Sequence, residues 1–141
     1  MKIKHSSVFL MLLILSIAGC ATTTQRALDS EQSQVEVRSI QTRAFDSTDK
    51  KKMLRTIMST LQDLDFVIER ADADLGTVTG AKFVKNTVLK MTVTVRPRGE
   101  TQLLVRANAQ YGLKAIDKPE PYQDFFNALA KSLFLTAQQV D

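Results

Sequence analysis

The stretch VLKMTVTVRPR, residues 88–98, constrains the fold most strongly. Leu89, Met91, Val93 and Val95 alternate strictly with Lys90, Thr92, Thr94 and Arg96. Successive strand side chains point to opposite faces, so this period of two describes a strand with one dry and one wet side. Arg98-Gly99-Glu100 reads as a hairpin turn. The next segment repeats the pattern, with Leu103, Val105, Ala107, Ala109 and Tyr111 on one face and Arg106, Asn108 and Gln110 on the other. Two neighbouring strands wet on one side only describe an antiparallel sheet covered on a single face.

The cover is written in two stretches with helical period. Met53, Leu54, Ile57, Met58, Leu61 and Leu64 fall at spacings of three and four, after Asp46, Ser47 and Thr48 as cap candidates and Asp49 in the first turn. Tyr122, Phe125, Phe126, Leu129, Leu133, Leu135, Ala137 and Val140 form a second apolar stripe, with Pro121 suited to a first helical turn. The aromatics Tyr122, Phe125, Phe126 and Phe134 read as core. Before the first helix, Val35 and Val37 alternate with Glu36 and Arg38. This predicts a strand running to Phe45, with a bulge near Ser39 where the apolar parity switches. Phe66 to Glu69 starts another strand, Asp72, Asp74 and Gly76 mark a turn, and Thr77 to Lys82 is extended. The expectation is an α+β domain ordered β-α-β-β-β-β-α, with four or five antiparallel strands and two amphipathic helices packed on one face.

The amino terminus carries a different signal. Lys2 and Lys4 precede an apolar run of about eleven residues, Val8 to Ala18, then Gly19 and the chain's one cysteine, Cys20. A spanning helix needs roughly 20 apolar residues, so the run is too short to cross a membrane and reads as a secretory signal. Ser16-Ile17-Ala18-Gly19-Cys20 resembles the lipobox of bacterial lipoproteins. That resemblance implies cleavage before Cys20, a diacylglycerol on its thiol and an acylated new terminus. Each buried methylene contributes about 0.8 kcal/mol, so several chains anchor stably where one does not. Ala21 stands where an aspartate would retain the enterobacterial relatives in the inner membrane, which implies the outer membrane with the domain facing the periplasm. The chain then divides into a signal at 1–19, a lipidated Cys20 with a polar tether to residue 34, and one domain at 35–141. Fully extended, that tether reaches at most roughly 50 Å.

Removing the signal takes Lys2, Lys4 and His5 with it, leaving 17 Lys and Arg against 15 Asp and Glu. A net charge of +2 gives no argument for nucleic acid. With Cys20 acylated, the domain has neither histidine nor free thiol. This excludes the usual zinc sites and the Ser-His and Cys-His nucleophile pairs. No catalytic residue, metal ligand or cofactor is expected. The acids Asp63, Asp65, Glu69, Asp72 and Asp74 fit no calcium-loop spacing and read as helix-end and turn residues.

Three further stretches, RSIQTRAF (38–45), LQDLDFVIERADADLGTVTGAK (61–82) and YQDFFNALAKSLFL (122–135), together resemble a group of small bacterial lipoproteins of undefined function. Asp65 departs from that pattern, which more often has glycine between the leucine and Phe66. The element order is also similar to helix-grip or TBP-like modules in lipoproteins of envelope assemblies, such as the barrel-assembly complex and the outer-membrane core of type IV secretion systems. The resemblance implies binding to another envelope protein.

The candidate surface is the polar sheet face. Lys90, Arg96 and Arg106 fall there with Thr92, Thr94 and Asn108, and Arg38, Gln41 and Arg43 extend it. Simple solvation accounts for such a face equally well. Lys50, Lys51 and Lys52 with Arg55 read as a solvated helix face, with an anionic lipid surface or an acidic partner as the alternative. The reading is a non-enzymatic, outer-membrane-anchored subunit that binds an envelope protein. The alternative is a binder of a small molecule, lipid or peptidoglycan fragment in a helix–sheet cavity, and the third possibility a carboxylate hydrolase.

Overall fold

The structure is a computed structural model and describes residues 33–138, with side chains through Phe134. The expected signal, Cys20, the tether up to residue 32, the side chains of Leu135 and Ala137, and Val140 all lie outside the described residues. The described residues from Val37 onward belong to one compact unit.

Residues 33–40 are helical, not the strand expected from Val35 onward. The apolar parity switch explains the difference. Val37, Ile40 and Gln41 stand at i, i+3 and i+4, and these are the more buried positions of the segment. The spacing read as a bulged strand is one turn of helix. Gln41 N–H closes that turn on the Val37 carbonyl at 3.2 Å.

Six strands follow, β1 (Thr42–Phe45), β2 (Val67–Asp72), β3 (Thr77–Val84), β4 (Thr87–Arg98), β5 (Gln102–Tyr111) and β6 (Lys114–Ala115). Helix α1 (Lys50–Asp63) joins β1 to β2, and α2 (Glu120–Gln138) closes the chain. The sheet runs β1-β5-β4-β3-β2, with β6 also paired to β5, and every pairing is antiparallel. The α+β class and the succession of elements from β1 to α2 agree with the sequence pattern, apart from β6 and the helical segment at 33–40. Strand β6 is an addition, because two residues carry no readable period.

The dry face comes from alternation. Met91, Val93 and Val95 of β4 pair with Ala109, Ala107 and Val105 of β5, and all are at most 5% exposed. Met53, Ile57 and Leu61 of α1 and Tyr122, Phe125, Phe126 and Leu129 of α2 close over them, none more than 1% exposed. Burying a side chain of this size contributes about 1.5–3 kcal/mol. Phe134, expected as a core aromatic, is instead 63% exposed, five residues beyond Leu129, the last fully buried position.

Helix α1 has well-defined ends. Its N-cap is Asp49, whose Oδ1 accepts from Lys52 N–H at 2.8 Å. The cap is thus one residue later than the expected Asp46–Thr48, and Ser47 instead accepts from Asp49 N–H at 3.3 Å. At the other end Phe66 N–H bonds the Leu61 carbonyl at 2.9 Å and Asp65 N–H the Gln62 carbonyl at 3.0 Å. These paired bonds form a Schellman motif, and they put Asp65 in the left-handed region at φ 65. Lys82 from β3 then donates to the Leu64 carbonyl at 2.9 Å, with its ammonium 4.7 Å from the Phe66 ring centroid. Gly76 makes the tight β2–β3 turn at φ 69, where a Cβ would come within 2.6 Å of the Val95 carbonyl oxygen.

The β2 edge of the sheet is blunted. Strand β2 is exposed, but carries Glu69, Arg70 and Asp72 and a register shift between Ile68 and Arg70, features that resist edge-to-edge pairing. The outer side of β5 is shared by β1, which pairs with 103–106, and β6, which pairs with 110–111.

Candidate functional site

Strand β5 needs hydrogen-bond partners in the gap between β1 and β6, since a buried N–H without one costs free energy. Ala107 N–H reaches the Gln41 carbonyl at 2.9 Å, and Ile116 N–H reaches the Ala109 carbonyl at 2.9 Å. Ala109 N–H is left facing the interior. The hydroxyl of Tyr122, a fully buried side chain of α2, accepts it at 3.2 Å. The same oxygen accepts from Gln41 Nε2 at 3.1 Å and donates to the Ile116 carbonyl at 2.6 Å. One phenol therefore ties together the start of β1, the end of β5, the segment after β6 and α2.

This knot holds the edge of the uncovered face. Register places Arg96 opposite Leu104, Thr94 opposite Arg106, Thr92 opposite Asn108 and Lys90 opposite Gln110, all pointing away from the helices. Thr94, Arg96, Leu104, Arg106 and Asn108 line a depression of about 370 Å³. A second, of about 180 Å³, adjoins it through Asn108 and is lined by Gln41, Lys90, Thr92, Gln110 and Ala115. Arg96 and Arg106 are diagonal neighbours on adjacent strands, within reach of each other for side chains of this length. Among the described residues neither forms an ion pair or side-chain hydrogen bond. Like charges held side by side are mildly destabilising, so the pair adds nothing to the fold that water would not also give.

The other expected residues sort differently. Lys90 is on the face but is neutralised by Glu69 at 2.9 Å. Arg43 leaves it. Arg43 pairs with Val105 on the helix side, lies 5.0 Å from the Phe126 ring centroid and donates to Asn127 Oδ1 at 3.4 Å. Arg38 is exposed in the helical segment, and Gln41 is buried as the Tyr122 partner. Cys20 lies outside the described residues. Leu104, the apolar floor between the two arginines, was not expected, because its half-buried position breaks the polar run of its own strand face.

Three of the acids accept bonds from the chain itself. Asp49 caps α1, Asp72 Oδ1 accepts from Leu75 N–H at 2.9 Å in the β2–β3 turn, and Asp46 accepts from Gln102. Among the described residues no three acids, histidines or cysteines are placed to hold a metal ion. Nor is any described helix long and apolar enough to cross a membrane. Of the basic helix start, Lys50 is tied to the Asp74 carbonyl at 3.0 Å. Lys51 and Arg55 border a groove of about 260 Å³ between α1 and the β2–β3 edge, with Leu54, Met58, Ala71 and Val78 as its apolar lining. No protein-family model matches this chain, and no curated protein matches it.

Proposed function

We propose that the protein is a lipid-anchored, non-enzymatic subunit of a bacterial cell-envelope assembly. Its signal is removed, Cys20 carries the acyl anchor at the outer membrane, and the periplasmic domain docks a second envelope protein on its open sheet face. The observation that carries the docking is the Arg96–Arg106 pair, two uncompensated guanidiniums around Leu104 in a concave polar sheet. An acidic segment with one apolar side chain complements that face, and a guanidinium binds a carboxylate through two parallel hydrogen bonds. The resemblance of the three sequence stretches to small envelope lipoproteins supports the same reading. Its non-enzymatic part is supported by the absence of histidine from residues 35–141 and by three carboxylates, Asp49, Asp72 and Asp46, that accept bonds from the chain itself.

Two measurements test it. Intact mass of the mature protein is expected to show a terminus at Cys20 carrying acyl chains, and an unmodified cysteine would end the anchor reading. The Arg96→Glu/Arg106→Glu variant is expected to fold normally and to lose a partner that co-purifies stoichiometrically with the detergent-solubilised protein. Undiminished recovery by the folded variant would end the docking reading.

The α1/β2–β3 groove favours a second reading, a binder of a small anionic amphiphile held by apolar lining and by Lys51 and Arg55. A co-purifying small molecule in native mass spectra, lost on Met58→Asp substitution, would decide for it.

A further inference from the structure

The end of the sheet away from Arg96 carries side chains that neither the core nor the docking face uses. The β3–β4 turn at residues 85–86 and the β5–β6 turn at residues 112–113 lie side by side. Gly112 N–H bonds the Val88 carbonyl at 2.9 Å, and the Tyr111 hydroxyl donates to the Val84 carbonyl at 2.7 Å. At these tips Phe83 is 86% exposed and Leu113 fully so. Both are large apolar side chains that packing does not require. Lys85 and Lys114 flank them, both exposed, and the stretches 81–88 and 109–116 contain no acid. Asp65 and Asp117 lie outside the two turns, before β2 and after β6.

Apolar tips ringed by lysines match the water–lipid boundary. There the rings and aliphatic groups enter the acyl border while long cationic side chains reach the phosphates. Each lysine near an anionic surface also adds electrostatic attraction that fades within a Debye length. We propose that this rim rests on an anionic membrane surface, inserting Phe83 and Leu113 with Lys85 and Lys114 at the headgroups, so that the Arg96–Arg106 end of the sheet points away from the bilayer. The proposal deepens the anchored-subunit reading and rests on it for proximity, since the tether holds the domain within reach of the membrane.

The chain has no tryptophan, so a single one reports its own surroundings. Leu113→Trp and the control Glu100→Trp, at the β4–β5 turn on the opposite end of β4, are each placed on the full chain. Both are mixed with phosphatidylglycerol-containing vesicles whose acyl chains are brominated near the headgroup. Quenching at position 113 is expected to be several-fold stronger than at position 100, and Lys85→Glu/Lys114→Glu is expected to lower it towards the control value. Equal quenching at the two positions, or quenching at 113 indifferent to the lysine reversal, would overturn the proposal. Because acylation of Cys20 is read separately from the mass of the terminus, loss of the rim and loss of the anchor are distinguishable results.

Discussion

Tyr122 shows how much one polar atom organises in this molecule. Its hydroxyl serves Gln41, Ala109 and Ile116 at once, all around a gap that neither β1 nor β6 fills. Tyr122→Phe keeps the ring and its packing but leaves a buried backbone N–H and a side-chain amide without partners. Each such loss costs about 1–3 kcal/mol where water cannot enter. The variant is expected to be about 2 kcal/mol less stable, read as a lower urea midpoint at unchanged slope. An unchanged midpoint would mean that water replaces the hydroxyl. The pattern of residues 122–135 marks Tyr122 as core, correctly, but apolar periodicity says nothing of where a hydroxyl points. That required the β1–β6 gap, which depends on β1 pairing with β5 from Thr42↔Arg106 to Phe45↔Leu103, and a bond from Gln41 to a residue 81 positions on.

At the scale of the element, α1 offers two changes of opposite sign. Asp49→Ala removes the cap bond to Lys52 N–H and is expected to cost about 1 kcal/mol. Asp65→Gly relieves a left-handed backbone at φ 65 and removes an acid from the negative end of the helix. It is expected to raise stability by about 0.5–1 kcal/mol, visible as a higher denaturation midpoint. Legibility followed element length. Strands β4 and β5 and both helices repeat their period often enough to be read directly, and the α+β order follows from them. The segment 33–45 does not, because Val35, Val37 and Ile40 satisfy either period over so few residues. Arg43 was misplaced for the same reason: β1 is four residues long and entered from a helix, so strand parity cannot be carried into it from Arg38. Within the candidate site, Arg96 and Arg106 were legible as a shared wet face. Lys90 was legible as to its place but not its partner, since Glu69 reaches it across β3.

At the scale of the whole molecule, one face of the sheet is spent on the core and the other is open. The described residues thus form a two-layer plate whose wet side ends in uncompensated arginines at one pole and an apolar, lysine-flanked rim at the other. We propose a protein at the first and a membrane at the second. Charge at Arg96 and Arg106 then matters for assembly and not for stability, so Arg96→Glu/Arg106→Glu is expected to keep its unfolding midpoint within about 0.5 kcal/mol of the parent. Docking of an envelope protein on the open sheet face can be read by position-specific crosslinking in intact cells. A photoreactive residue replaces Asn108, between the two depressions, and in a second protein replaces Lys131, exposed on α2. One discrete adduct is expected from position 108, absent from position 131 and lost when Arg96 and Arg106 are reversed. Adducts of equal yield at both positions, or none at 108 in a folded and membrane-anchored protein, would contradict it.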